Sequence, residues 1–223
     1  CVGFIANGMN TPDSLFLRGN EYYQAGNYEK AIDSYLEIDS MGYYSPELYY
    51  NLGNTYFRSN KLGRARLYLE RAVLSKPGEE DYQANLEYLK SMLPDKFDEV
   101  PEIFLKTWLR EIVNLTNTDG WMKIAVLFFI LFIIGGLLYI FSSNLSLRRS
   151  GFYGGLLFLF IGTTTLVFSL KQNQRRFHSN HAIILEASQP VHSAPRESGK
   201  QLFVLHEGSK VKLEKELEGW IEI

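Results

Sequence analysis

The chain has 223 residues and a formal net charge of −2, which excludes a polybasic surface for nucleic acid. Its one cysteine, Cys1, excludes an intramolecular disulfide. The mean hydropathy is near neutral, but it averages polar, charged ends with two apolar runs between them.

Residues 1–10 open with "CVGFIANG", an apolar stretch with small residues near its end. It reads as the tail of a secretory signal peptide or as an N-terminal extension. A lipid-modified Cys1 is a third reading, and the residues do not choose among them.

Residues 11–93 carry an internal repeat. "LRGNEYYQAGNYEKAIDSYLEID" is followed by "NLGNTYFRSNKLGRARLYLERAV". Gly19 recurs as Gly53, Asn20 as Asn54, Tyr22 as Tyr56 and Ala31 as Ala65, each 34 residues on. A fixed period of this size marks stacked supersecondary units. Within each unit the apolar and small residues fall at helical spacing. Gly53, Ala65 and Ala72 let two antiparallel helices approach closely, and "QAGN" and "RSNK" are the turns. "DYQANLEYLKSML" keeps the apolar spacing without the glycine and reads as a capping helix.

This pattern closely resembles the tetratricopeptide repeat over residues 11–78. The first unit departs from it at Arg18 and Ile38, and no proline ends its second helix. The resemblance implies a concave face that holds peptide segments. Here that face would present Phe16, Asn20, Tyr23 and Gln24 from the first unit. The second would add Tyr50, Asn54, Phe57 and Arg58. An asparagine amide both donates and accepts, so it can hold a peptide backbone. Both asparagines are expected to point away from the core between the helices. The plainer reading makes them ordinary polar surface.

Residues 94–120 hold "PEIFLKTWLREIVNL", with Ile103, Phe104, Trp108, Leu109, Ile112, Val113 and Leu115 on one stripe and Pro101 in the first turn. Two readings stay open: an interfacial helix anchored by Trp108, with Lys106 and Arg110 at headgroups, or a helix packed on the repeats.

Residues 121–143 and 151–170 are predicted transmembrane helices joined by a cytoplasmic loop, 144–150. The loop is short, so both soluble parts lie on one side. Arg148 and Arg149 in the loop compete with Lys123, Lys171, Arg175 and Arg176 outside it, so charge alone leaves the side open. The signal-like start tips the expectation to a bacterial inner membrane with soluble parts in the periplasm. Gly135, Gly136, Gly151, Gly155 and Gly162 are close-approach sites, for the hairpin itself or for other membrane proteins. Between Ile124 and Leu170, outside the loop, no residue is charged, which argues against an ion path or proton relay.

After a linker, 171–181, residues 182–223 turn β-rich, with runs at 182–186, 203–206, 210–213 and 219–223 split by turn signals. The order resembles a bacterial SH3-like domain. That resemblance implies a small barrel, here lacking its last strand, with Trp220 in its core. The expected fold class is therefore mostly α: a two-repeat helical stack, a transmembrane hairpin and an incomplete C-terminal β-barrel.

No phosphate loop, nucleophile elbow or catalytic carboxylate pair is present in the sequence. His178-x-x-His181 lacks a third ligand at fixed spacing, so neither a metal nor a cofactor is expected. The expectation is a non-enzymatic scaffold. The order of parts, with "GNEYYQAGNYEKAI", "NLGNTYF" and "LFVLHEGSKVK…GWIEI", resembles the BatE type of aerotolerance-operon protein. That resemblance implies an assembly with von Willebrand A-domain membrane proteins and a MoxR-type ATPase, tied to oxidative-stress tolerance. The alternative is a membrane anchor that binds peptidoglycan through the SH3-like domain.

Overall fold

The structure is a computed structural model that describes residues 11–96, 104–177, 180–196, 198–217 and 219–223. The expectations on residues 1–10, Pro101, Ile103 and His178, and on the side chains of Lys106, Arg175 and Arg176, lie outside the described residues. The chain divides into two compact units.

The first unit begins with five helices: α1 (Pro12–Gln24), α2 (Tyr28–Ser40), α3 (Pro46–Arg58), α4 (Leu62–Ser75) and α5 (Glu80–Met92). Both repeats start alike. The hydroxyls of Thr11 and Ser45 cap α1 and α3 by accepting from the Ser14 and Leu48 N–H groups, and a proline follows each cap. Both first helices also end alike. Gly26 (φ 76°) and Asn60 (φ 58°) take the left-handed conformation. The next N–H groups, of Asn27 and Lys61, reach back to the carbonyls of Tyr22 and Tyr56. This is the Schellman stop, and asparagine is the non-glycine residue best suited to it.

Inside each pair the glycine sets the spacing. A Cβ on Gly53 would stand 2.7 Å from Leu69 Cγ, and one on Gly19 would run into the Tyr35 ring. The core is Leu15, Ala31, Tyr35, Leu48, Leu52, Tyr56, Ala65, Leu69 and their neighbours, extended by Leu86 and Leu89 of α5. Burying each large member stabilises the stack by about 1.5–3 kcal/mol before entropy is counted. Ile38, a departure from the family pattern, is buried in this core, and Arg18 pairs with Glu37 at 3.6 Å.

The same unit contains six strands: β1 (His181–Ile183), β2 (Ser188–His192), β3 (Gln201–His206), β4 (Lys210–Lys212), β5 (Lys215–Leu217) and β6 (Trp220–Glu222). They form three separate antiparallel two-stranded ladders, β1–β4, β2–β3 and β5–β6. The expected SH3-like barrel is therefore absent: among the described residues no ladder is bonded to another and no sheet closes. Four of the strands have only three residues, and Pro190 in β2 lacks the N–H that a further strand would need. Trp220 is not a barrel core residue. It is half-buried and meets His192 edge-on at 5.7 Å.

The second unit holds α6 (Phe104–Asn114), α7 (Thr118–Phe141) and α8 (Leu145–Phe177). Helices α7 and α8 form an antiparallel hairpin. Its connection is 142–144, shorter than the expected loop, because the helix already starts at Leu145 and carries Arg148 and Arg149 in its first turns. The expected linker is likewise mostly helical, since α8 runs on to Phe177. Both helices are long and apolar enough to cross a membrane. Only 11% and 22% of their most apolar windows are buried, so they are not covered core helices.

The glycines explain the hairpin. A Cβ on Gly135 would lie 2.8 Å from the Gly151 carbonyl oxygen, and one on Gly151 would lie 2.7 Å from that of Gly135. Gly155 and Gly162 face Phe132 and Phe128 across the same seam. Gly136 does not belong to it: no described atom lies within 4 Å of a Cβ placed there.

Candidate functional site

The first helices of the repeats and α5 line one groove. Tyr23 of α1 and Tyr50, Asn54, Phe57 and Arg58 of α3 bound a cavity of about 350 Å³, completed by Leu69, Asn85 and Tyr88. Five of the eight expected site residues are thus brought together. Phe16 instead packs against Tyr35 at 5.9 Å between ring centroids. Gln24 is exposed and lies outside the lining, and Asn20 sits in the contact between repeats.

Asn20 does not point away from the core as expected, whereas Asn54 lines the groove. The Asn20 side-chain oxygen accepts from the Tyr35 hydroxyl at 2.6 Å and from the Asn51 amide at 3.0 Å. One repeat on, the Asn54 oxygen accepts from the Asn85 amide at 2.9 Å, and Asn85 also donates to Tyr50 at 2.8 Å. The ladder therefore bonds each first helix to the next. A buried hydroxyl must find a partner, and Asn20 is the partner of Tyr35. Burial pushes the Tyr35 phenol up to about 12, against the lowering effect of its Asn51 neighbour. The Asn54 Nδ2 makes no hydrogen bond among the described residues and remains available at the groove.

Arg58 stands at the mouth. Its Nε donates to the Tyr28 hydroxyl at 3.2 Å, a bond that favours the charged guanidinium. The groove therefore combines aromatic walls, an amide and a fixed positive charge. That set can make apolar, hydrogen-bonding and charged contacts at once. Among the described residues no three His, Cys, Asp or Glu side chains cluster as a metal site.

Asn85 and Tyr88 were not anticipated, because α5 read only as a cap. The signal was present: Asn85 follows Asn51, and Leu86 follows Leu52, by the same 34 residues. Helix α5 thus keeps part of the 34-residue register and continues the groove.

A second constellation lies on the other side of α4, where the β segment docks. Glu207 accepts the Gly63 N–H at 2.8 Å, Arg66 donates to the Gly208 carbonyl at 2.6 Å, and Lys210 meets Glu70 at 2.6 Å. Asp95, just past α5, accepts the His206 N–H at 2.7 Å and the Ser209 hydroxyl, with His206 Nδ1 at 2.8 Å. Burial opposes ionisation of Asp95. The Ser209 hydroxyl and the His206 contacts outweigh it and hold the carboxyl below its ordinary value. These long-range polar contacts had no sequence signature.

Residues 12–41 and 46–79 match the tetratricopeptide repeat, a family whose repeats mediate protein–protein contacts. The chain is therefore a repeat-containing helical protein with two long apolar helices. No curated protein and no solved structure matches it. The resemblance to the BatE type is corrected accordingly: only the repeat is matched, and the open β ladders remove the SH3-like part on which the resemblance leaned. The aerotolerance role falls with it, and the von Willebrand A-domain and MoxR-type partners lose their support. The peptidoglycan-anchor alternative loses its ground too, since it required the same domain.

Proposed function

We propose that this protein is a non-enzymatic, membrane-anchored adaptor that holds an extended segment of a partner protein in the groove of α1, α3 and α5. The observation that carries this reading is the cavity of about 350 Å³ with its half-exposed aromatic walls and the Asn54 amide. The match of both repeats to a protein-binding family supports it. The apolar, largely uncovered hairpin supplies the anchor, since lipid is the solvent that such surface needs. The docked β segment supports a common side for both soluble parts, because an even number of crossings lets the chain ends meet. Charge does not choose that side, since Arg148 and Arg149 at the turn are balanced by Lys123, Lys171, Arg175 and Arg176 outside it; a bacterial inner membrane with the groove in the periplasm is the placement proposed here.

Site-specific photo-crosslinking in native membranes tests the reading. A photoreactive residue at Tyr88 should yield a defined crosslinked protein, and one at Leu17, exposed but outside the groove lining, should not. Arg58→Glu should abolish the Tyr88 product while leaving the melt of the stack unchanged. Equal crosslinking from both positions would move the binding surface off the groove.

A further inference from the structure

At about 100° per residue, helix α6 turns Trp108, Leu109 and Ile112 to one side and Thr107, Arg110 and Asn114 to the other, with Phe104 and Glu111, seven residues apart, together at one edge. The apolar side is uncovered: Phe104 is 82% exposed, Trp108 49%, and Leu115, just past the helix, 74%. Yet the end of α6 is fixed. Trp121 of α7 donates its indole N–H to the Val113 carbonyl at 2.8 Å. Gln172 of α8, itself 5% exposed, donates to the Thr116 and Val113 carbonyls at 3.0 and 3.4 Å and accepts from the Thr118 hydroxyl at 3.2 Å. The last carbonyls of a helix have no intrahelical donor. Here side chains of the hairpin supply that donor, so the end of α6 is bracketed to the base of α7 and α8.

The bracket also sets a depth. Helix α7 has 24 residues, about 36 Å at 1.5 Å per residue, somewhat more than a bilayer core of about 30 Å. Its first charges, Asp119 and Lys123, and the exposed Lys171 of α8 stand at the same end as Gln172. That end is where the hairpin leaves hydrocarbon. An uncovered apolar face that starts at that level has lipid as its fitting cover.

We propose that α6 is a lipid-docking helix that lies along the headgroup–acyl boundary on Trp108, Leu109 and Ile112, with Phe104 and Leu115 at its edge, its direction fixed by the Gln172 bracket. A helix with one strongly apolar and one strongly polar face settles at that depth. This inference rests on the membrane reading above, and the experiment separates the two. In the full chain with Cys1→Ser, reconstituted into phosphatidylethanolamine–phosphatidylglycerol vesicles, single nitroxides are placed at Trp108, Leu109, Ile112, Arg110, Asn114 and Ile133. Collision with oxygen should exceed collision with a water-soluble nickel chelate at 108, 109 and 112, and the order should reverse severalfold at 110 and 114.

Ile133, mid-helix and 58% exposed, should be the most oxygen-accessible of all. A nickel-accessible Ile133 would end the membrane reading itself. With Ile133 buried in lipid, nickel access at 108, 109 and 112 would overturn the docking of α6. Shielding of those positions from both reagents would overturn it in favour of a protein cover. Gln172→Leu should raise nitroxide mobility at 108 and 112 and shrink their contrast with 110, leaving 133 unchanged. An unaltered pattern in that variant would remove the bracket from the proposal.

Discussion

Helix α4 is held differently on its two sides. Toward α3, Ala65 and Leu69 close on Gly53, Leu52 and Tyr56 in the core. Toward the β segment it offers the Gly63 N–H, Arg66 and Glu70 to Glu207, the Gly208 carbonyl and Lys210. The first kind of contact is cumulative and insensitive to salt and pH. The second needs every group in place, because an ion pair removed from water is costly when one member is lost. The stack should therefore fail only as a whole, while the β segment can be released from an intact stack. A two-stranded ladder is at best marginal alone, so release should also melt it.

The largest effect should come from breaking the apolar side. Leu52→Ala removes a fully buried side chain and should cost about 3 kcal/mol. Urea unfolding followed by far-ultraviolet circular dichroism measures it, and the β segment should be lost in the same transition. A separate, earlier loss of helix signal would deny the stack its single core.

The polar side should break more locally. Asp95→Ala leaves the Ser209 hydroxyl and the His206 N–H without their acceptor. Amide exchange in β1 and β4 should accelerate at least severalfold, with exchange in α3 unchanged. Uniform acceleration across both would show that the two sides are one cooperative system. The pH response sharpens the point. The Asp95 carboxyl is held low, so its contribution is complete above about 3.9, the unfolded value, and is lost as pH falls through the lower folded value.

The smallest effect should be alkaline. Neutral Tyr35 is favoured in the fold, so its contribution is intact below about pH 10 and declines as pH rises toward about 12. The melting temperature should fall across that window, and less steeply in Tyr35→Phe. Identical slopes for the two proteins would move the titration elsewhere, Tyr68 being another phenol that burial raises.

What the sequence made legible follows its periodicities. The 34-residue recurrence located the helical pairs and the close contacts at Gly19 and Gly53, because a repeat fixes which residue faces which. Unbroken apolar runs located the hairpin, and four of its five expected glycines lie in the seam. Gly136 does not, since neighbouring residues on a helix point about 100° apart. The groove was half legible. Side-chain direction could be read for Tyr23 and Phe57, but not the bonds that turn Asn20 toward Tyr35. The β ladders were least legible, because turn spacing shows where strands lie and not which strands pair. The Asp95–His206 contact joins residues 111 apart and leaves no local pattern at all.

That separation has a consequence for assembly. Closing a flexible loop of this length costs about 4 kcal/mol by the logarithmic rule, before any constant. Pairing of α7 with α8 brings Thr118 against Gln172, 54 residues on, and so removes about half of that loop. The entropy of closure drops by about 0.6 kcal/mol as a result. The hairpin thus acts as a covalent clamp that raises the effective concentration of the β segment at the stack.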